Sequence, residues 1–280
     1  MIRILDETQS VWQTLIPEII DHILYYTENK VTELCLVCKY FNQHCIAIRG
    51  ISFSFYGYRR TFDEQLSKLP NLTSFTVHDN DSSFDCVYIL TNLTSLSVER
   101  CQLVNDNISK LTNLTSLTIG SGCPAISNHG ISNLTNLTYL DLKWNDTITD
   151  QGIANLTKLQ YLNVGDFGFD SRISNDGIFN LRNLHTLVLG KNRSITNEGL
   201  IQLSNLKSLD LKYNPTITDE GIINLPLTSL GLIDNSIITN NALSVSLTHL
   251  DISYNNNITR DGISKLTNLT SINVGKLVNL

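Results

Sequence analysis

What this sequence has little of removes several classes of function. Charge is sparse: Lys, Arg, Asp and Glu supply 16% of 280 residues, where ordinary soluble domains carry about a quarter. Basic charge is sparser still, 20 Lys and Arg against 26 Asp and Glu for a net charge of −6, and no stretch concentrates it. Phosphate binding needs a Lys/Arg face, so nucleic acid is not expected as a partner. No apolar run reaches the roughly 20 residues that cross a bilayer, and no membrane partner is expected. The opening Met1-Ile2-Arg3-Ile4-Leu5-Asp6-Glu7 carries acids where a secretion signal has its apolar run. The expected location is therefore cytoplasmic or nuclear, in the host cell if the source is an infectious agent. There the six cysteines (Cys35, Cys38, Cys45, Cys86, Cys101, Cys123) are read as free thiols.

Catalytic signatures are missing too. There is no Gly-x-Ser-x-Gly, His-Glu-x-x-His or P-loop, and the six histidines are scattered. Asp166-Phe167-Gly168 copies a kinase tripeptide without the Gly-rich loop, strand lysine or His-Arg-Asp that give it meaning. Cys35-x-x-Cys38 with His44-Cys45 could be a metal site, but Cys38, Phe41 and Cys45 share a helical face with apolar neighbours, where a thiol packs as a small hydrophobe. The reading is a non-enzyme with no catalytic residue, metal or cofactor.

What is present is a repeat. The frame Leu-x-x-Leu-x-Leu, often with Asn at its ninth position, begins at Leu72, Leu93, Leu114, Leu137, Leu159, Leu184, Leu206, Leu227, Leu247 and Leu269. The clearest copies are Leu137 to Leu142 with Asn145, and Leu206 to Leu211 with Asn214. A period in the low twenties with this frame is similar to the leucine-rich repeat. Within Leu140-Asp141-Leu142 the period of two turns both leucines inward and Asp141 outward, so stacked copies make a parallel sheet on one wall. Asn145, Asn192, Asn214, Asn235 and Asn255 stand where each chain leaves its strand. A buried amide there satisfies both donors and acceptors of the turn, so an internal Asn ladder is expected. Ile-Thr-Asp-x-Gly-Ile-x-x-Leu follows, as in 148–156 and 217–225. Thr149 or Asp150 is expected to cap a short helix, with Ile153 and Leu156 facing the core. The fold class is thus α/β: a solenoid with its sheet on the concave face and short helices on the convex face.

The frame divides the chain. Residues 47–280 form the solenoid, with a degenerate first repeat at 47–70 in which Ile48, Ile51 and Phe53 match Leu72, Phe75 and Val77 at a step of 24. About ten further repeats follow. The numerous Asn-x-Thr/Ser triplets, such as Asn71-Leu72-Thr73, read as by-products of the repeat. The last copy ends without the polar cap that solenoids need; a fraying end, a covering partner and a longer parent chain are all consistent with this.

Residues 1–46 lie outside the frame. Ile16, Ile19, Ile20, Ile23 and Leu24 fall at helical spacing behind Pro17 and Glu18, residues that suit a helix start. Val31, Leu34, Val37, Cys38, Phe41 and Cys45 make a second such pattern, too small for an ample core of its own. Leu15 to Leu24, followed by Leu34-Cys35-Leu36-Val37-Cys38-Lys39-Tyr40-Phe41-Asn42, resembles an F-box. With the repeats behind it, nearly the whole chain resembles the F-box/leucine-rich repeat family. Ile16 stands where that family usually has proline, with Pro17 one place later, and Thr27 replaces a customary leucine. The resemblance implies substrate reception in a Skp–cullin–F-box ubiquitin ligase. A Skp-family adaptor would be held by Leu15, Pro17, Glu18, Ile19, Ile23, Leu24, Leu36, Val37, Cys38, Lys39 and Phe41, and an unknown target protein by the repeats. The alternative is a stand-alone interaction or inhibitor scaffold whose N-terminal helices merely cap the solenoid.

The outward strand positions locate the target site. Copies one to three present mostly Ser and Thr (Ser74, Ser95, Ser97, Ser116, Thr118). Copies four to seven present Tyr139, Asp141, Lys143, Trp144, Tyr161, Asn163, Lys191, Asp210, Lys212 and Tyr213. Exposed Tyr and Trp among charges mark protein-binding hot spots, and concave solenoid faces are the usual place for them. A sheet wall needs polar outward residues in any case. The 25-residue fifth step carries Phe167 and Phe169, which read either as an insertion near the binding face or as Phe167 packing in place of a ladder Asn.

Overall fold

A computed structural model describes residues 52–56, 72–80, 87–101, 105–165 and 171–275. Eleven strands run in chain order through one parallel sheet: β1 (Ser52–Tyr56), β2 (Ser74–Asn80), β3 (Ser95–Cys101), β4 (Ser116–Ile119), β5 (Tyr139–Asp141), β6 (Tyr161–Asn163), β7 (Thr186–Val188), β8 (Ser208–Asp210), β9 (Ser229–Gly231), β10 (His249–Asp251) and β11 (Ser271–Asn273). Among the described residues each pairs with the strands of the neighbouring copies. The described helices are single turns between strands: α1 (Asn105–Ile108), α2 (Asn128–Ile131), α3 (Asp150–Ile153), α4 (Asn175–Ile178), α5 (Asn197–Ile201), α6 (Asp219–Ile222) and α7 (Arg260–Ile263). Helices this short have no stability of their own and exist because their apolar side is buried by the stack. The fold is the solenoid that the frame implies.

The core is repetitive. In copy four Leu137, Leu140, Leu142, Ile148, Ile153 and Leu156 are all buried, and the same positions recur as a continuous apolar column from Leu72 to Leu266. A one-residue slip would turn every strand inside out, so this column also sets the register. The first strand departs from the expected pairing. Phe53 lies beside Phe75, and Phe55 beside Val77, so the first step is 22 residues and Ile51 is not the partner of Phe75. A shift of two residues preserves the inward–outward alternation, so the pattern alone could not separate the two registers.

Three polar ladders tie the copies together. The Asn ladder is internal from Asn192 onward, as expected, whereas Asn145 is half-buried and accepts from the N–H groups of Thr147 and Ile148. Asn214 Oδ1 accepts from the N–H groups of Thr216 (3.0 Å) and Ile217 (2.9 Å), while its amide donates to Asn192 O (2.9 Å) and Gly190 O (3.2 Å). Asn235 repeats this set, donating to Asn214 O and Leu211 O, and Asn255 donates to Asn235 O. These amides are 1–2% exposed, and each satisfies groups in its own copy and in the preceding one.

The second ladder corrects the helix caps. Thr149 occupies an N-cap position but makes no side-chain cap bond. Asn128, one copy earlier, accepts from the Thr149 N–H through Oδ1 and donates to its hydroxyl through Nδ2. Asp150 in turn accepts from both the N–H and the hydroxyl of Ser174. The Asn175–Thr196, Asn197–Thr218 and Asn240–Thr259 pairs continue the series. Thr149 and Asp150 therefore join neighbouring copies, and neither caps its own helix. The glycine of each Asx-x-Gly follows from the same contact. A Cβ at Gly152 would lie 2.7 Å from Asn128 Oδ1, and one at Gly221 would overlap Asn197 Oδ1.

The third ladder gives the Asn-Leu-Thr triplets a structural role. Asn113 donates to Thr91 O and Thr115 to Thr94 O; Asn136 and Thr138 do the same to Thr112 O and Thr115 O one copy on. These residues supply bonds at the start of β4 and β5, so the triplets belong to the repeat and have a job within it.

Candidate protein-binding face

The outward wall is built by residues three and five of each copy, and its margin by residues seven and eight, where the chain leaves the strand. Position five carries a turn-forming side chain. Asp141 Oδ1 accepts from Lys143 N (2.9 Å), Asn163 from Gly165 N (2.9 Å), Asp210 from Lys212 N (2.9 Å) and Asp251 from Ser253 N (3.0 Å). Such Asx turns close the strand, so Asp141 and Asp210 serve the backbone of the repeat whatever else they contact. Burial raises the Asp210 carboxyl above its ordinary range. The backbone N–H and the charge of Lys212 pull the other way, and Asp251 adds to the rise.

Position three is aromatic in two adjacent copies. Tyr139 pairs with Tyr161 across β5 and β6, and their rings stack at 4.3 Å between centroids with 9° between planes. Burial, foremost, raises both phenols, with the Asp141 charge adding to each and Tyr139 raising Tyr161 further. They stand as neutral hydrogen-bonding groups at physiological pH and are not poised to give up protons. Both are half-buried.

Position eight is left-handed in Arg100, Trp144, Tyr213, Asp234 and Tyr254, φ 49°, 65°, 57°, 50° and 59°, so the turn belongs to the repeat, and the later copies differ in placing large aromatics there. Glycine or asparagine adopts this conformation at little cost, whereas a bulky residue forfeits about 1–2 kcal/mol. Trp144 is 47% exposed and Tyr254 58%. Lysines flank two of the three rings: Lys143 Nζ lies 5.3 Å from the Trp144 ring, and Lys191 and Lys212 lie 5.7 and 5.3 Å from the Tyr213 ring. Contacts of this kind pre-position the lysines for about 0.5–1 kcal/mol each at exposed sites.

The structure thus brings Lys191, Lys212 and Tyr213 into one cluster across copies six and seven. Lys143 and Trp144 form a second cluster in copy four, two to three strands away, about 10 to 14 Å at about 4.8 Å per strand. The Tyr139–Tyr161 stack lies on the wall beside the second. Asn163, expected to face outward, is buried with its carbonyl on Gly165. Tyr254 and the exposed His249 in copy nine extend the face beyond copy seven. Position eight was the signal for Tyr254: it stands there just as Trp144 and Tyr213 do. Residues 166–170, with Phe167 and Phe169, and the adaptor set from Leu15 to Phe41 lie outside the described residues. Among the described residues no helix is long and apolar enough to cross a membrane.

A family model for the leucine-rich repeat matches residues 133–156, 180–204, 202–225 and 243–267, the copies that hold most of this face. These are leucine-rich repeats. Among solved structures, an internalin of Listeria monocytogenes superposes with a TM-score of 0.59 at 23% identity, over 86% of this chain and 74% of that one. A leucine-rich repeat protein of Leptospira interrogans gives a TM-score of 0.53 at 20% identity, over 84% and 80%. The receptor in a TLR13–ssRNA13 complex gives 0.61 at 24% identity, over 84% of this chain but 37% of that one. At these identities the likeness is one of fold. No curated protein matches the sequence. Repeats of this kind are protein-interaction scaffolds, and this chain has that architecture.

Proposed function

We propose that the chain is the substrate receptor of a Skp–cullin–F-box ubiquitin ligase, located in the cytoplasm or nucleus. The concave margin of its leucine-rich repeats holds the target protein, and the F-box-like segment docks a Skp-family adaptor. The observation that carries the target-binding half is the ledge of Trp144, Tyr213 and Tyr254. The left-handed turn also occurs at Arg100 and Asp234; here it presents large aromatics, Trp144 and Tyr254 exposed and Tyr213 half-buried. Tyr and Trp at a surface beside charges are the residues in which contact energy concentrates. The adaptor half rests on the resemblance of residues 11–46 to an F-box, ahead of repeats of the Ile-Thr-Asp-x-Gly-Ile type.

The chemistry belongs to other subunits. This chain contributes geometry: a rigid wall that presents the target to them. The test is co-purification of the full chain, and of a chain lacking residues 1–46, with a eukaryotic Skp-family adaptor. Retention by the full chain alone supports the receptor reading. Retention by neither at micromolar concentration reduces the N-terminal segment to a cap and leaves a stand-alone interaction scaffold.

A further inference from the structure

The convex side carries a feature that the concave ledge does not explain. The residue after each buried helical Ile or Leu points away from the core, and it is Phe179, Ile201 and Ile223 in copies five to seven, at 51%, 63% and 51% exposure. Val245, one position further along in copy eight, continues the row at 58%. Three residues before each of the first three, on the same helical face, stands an exposed acid: Asp176, Glu198 and Glu220. The same two positions read Gln151 and Ala154 in copy four, Asn241 and Ser244 in copy eight, and Asp261 and Ser264 in copy nine. Acid and large apolar residue thus coincide in three consecutive copies. Acids suit the first turn of a helix, yet Gln151 and Asn241 show that the turn forms without them. That preference also says nothing about three exposed large apolar residues in a row.

We propose that this stripe is a second docking surface, independent of the concave ledge, and that its occupant is a cationic amphipathic helix of a partner protein. The charge is complementary: a carboxylate lies beside each apolar contact on α4, α5 and α6, with Arg182, a turn beyond Phe179, as a base at one end. The spacing fits as well. Strands of neighbouring copies lie about 5 Å apart, and the helices are held nearly as close where a Cβ at Gly177 or Gly221 would lie 3.2 Å from the Cα of Asp150 or Asn197. A helix presents an apolar residue every 3 to 4 positions, about 5 Å along its axis. One helix laid along the stripe would set successive apolar residues over Phe179, Ile201 and Ile223, and its Lys or Arg side chains over the acids. A second copy of the chain meeting this face with its own would set carboxylate against carboxylate, which disfavours self-pairing.

The test uses the full chain and two fluorescent 18-residue peptides with Leu at positions i, i+3, i+7 and i+10, one filled with Lys and the other with Glu. The Lys peptide is expected to bind, the Glu peptide not, and binding is expected to weaken as salt rises. Ile201→Ser should weaken it about tenfold. Glu198→Lys combined with Glu220→Lys should do the same and transfer preference to the Glu peptide, while Trp144→Ala should leave it unchanged. The charge-reversed pair, on exposed side chains, decides the matter if Ile201→Ser shifts the urea midpoint. Equal binding of both peptides, binding of neither, loss in Trp144→Ala, or a parent dimer that Ile201→Ser dissociates would each overturn the proposal.

Discussion

The wall of β2 to β4 and the wall of β5 to β10 share an interior and differ on the outside. Inward, both present the same column: Phe75, Leu96 and Leu117 continue as Leu140, Leu162, Leu187, Leu209, Leu230 and Leu250, all 3% exposed or less. Outward, position three is Ser74, Ser95 and Ser116 in the first group; in the second it is Tyr139 and Tyr161, then Thr186, Ser208 and Ser229, and last His249. Among the described residues, the lysine-flanked aromatics of the concave margin lie in the second group. A solenoid needs the interior everywhere and leaves the exterior free. Where the exterior departs from small hydroxyl residues, as at Tyr139, Trp144, Tyr161, Tyr213 and Tyr254, the repeat does not require the departure, and the proposed binding face rests on it.

That comparison can be broken from the inside first. Leu187→Ala empties a fully buried position between two copies and should cost about 2–5 kcal/mol, read as a drop in urea midpoint. Leu96→Ala should cost about the same. If one wall tolerated the change and the other did not, the shared-interior premise would fail. Asn214→Leu comes next. It strands turn N–H groups of its own copy and carbonyls of the preceding one, for about 1–3 kcal/mol. A midpoint equal to the parent's would show that the Asn ladder is dispensable. Gly221→Ala places a methyl against the Asn197 side chain and should cost about 1–3 kcal/mol as overpacking. Gly221→Ala combined with Asn197→Ala should recover part of that loss in a double-mutant cycle, because the obstruction is removed.

The smallest effect is one of pH. Burial holds the Asp210 carboxyl above its ordinary range, so its ionised form disfavours folding. That penalty fades as pH falls through the raised folded-state value. Asp210→Asn keeps the Oδ1 acceptor for Lys212 N–H and removes the charge. It should raise the urea midpoint at neutral pH and leave it nearly unchanged at mildly acidic pH. A loss of equal size at both would show that the carboxylate itself is needed by the turn.

Most of the fold was legible because repetition multiplies weak signals. Ten copies of one frame revealed the sheet, its direction and the inner Asn ladder. What stayed illegible involved partners one copy away. Thr149 looks like a helix cap, since that preference is local, but its bonds go to Asn128, 21 residues back. The same distance hid the reason for Gly152 and for the Asn-Leu-Thr triplets. The register of Phe53 escaped because alternation is unchanged by a shift of two. At the site, residue types pointed to Trp144, Tyr213 and their lysines. Their left-handed backbone is a property of the turn that no residue type announces, shared with Arg100 and Asp234, whereas Tyr254 was within reach of the sequence because it holds the same repeat position as Trp144 and Tyr213.

The central claim is that contact with a protein partner is confined to the later wall and its margin. A photo-reactive phenylalanine analogue placed at Lys212 or at Ser116 of the full chain, in the cell that makes it, tests this directly. The account predicts a discrete protein adduct from position 212, at least about tenfold above that from position 116, and lost when Trp144→Ala is added. Adducts of equal yield from both positions, or from 116 alone, would contradict it.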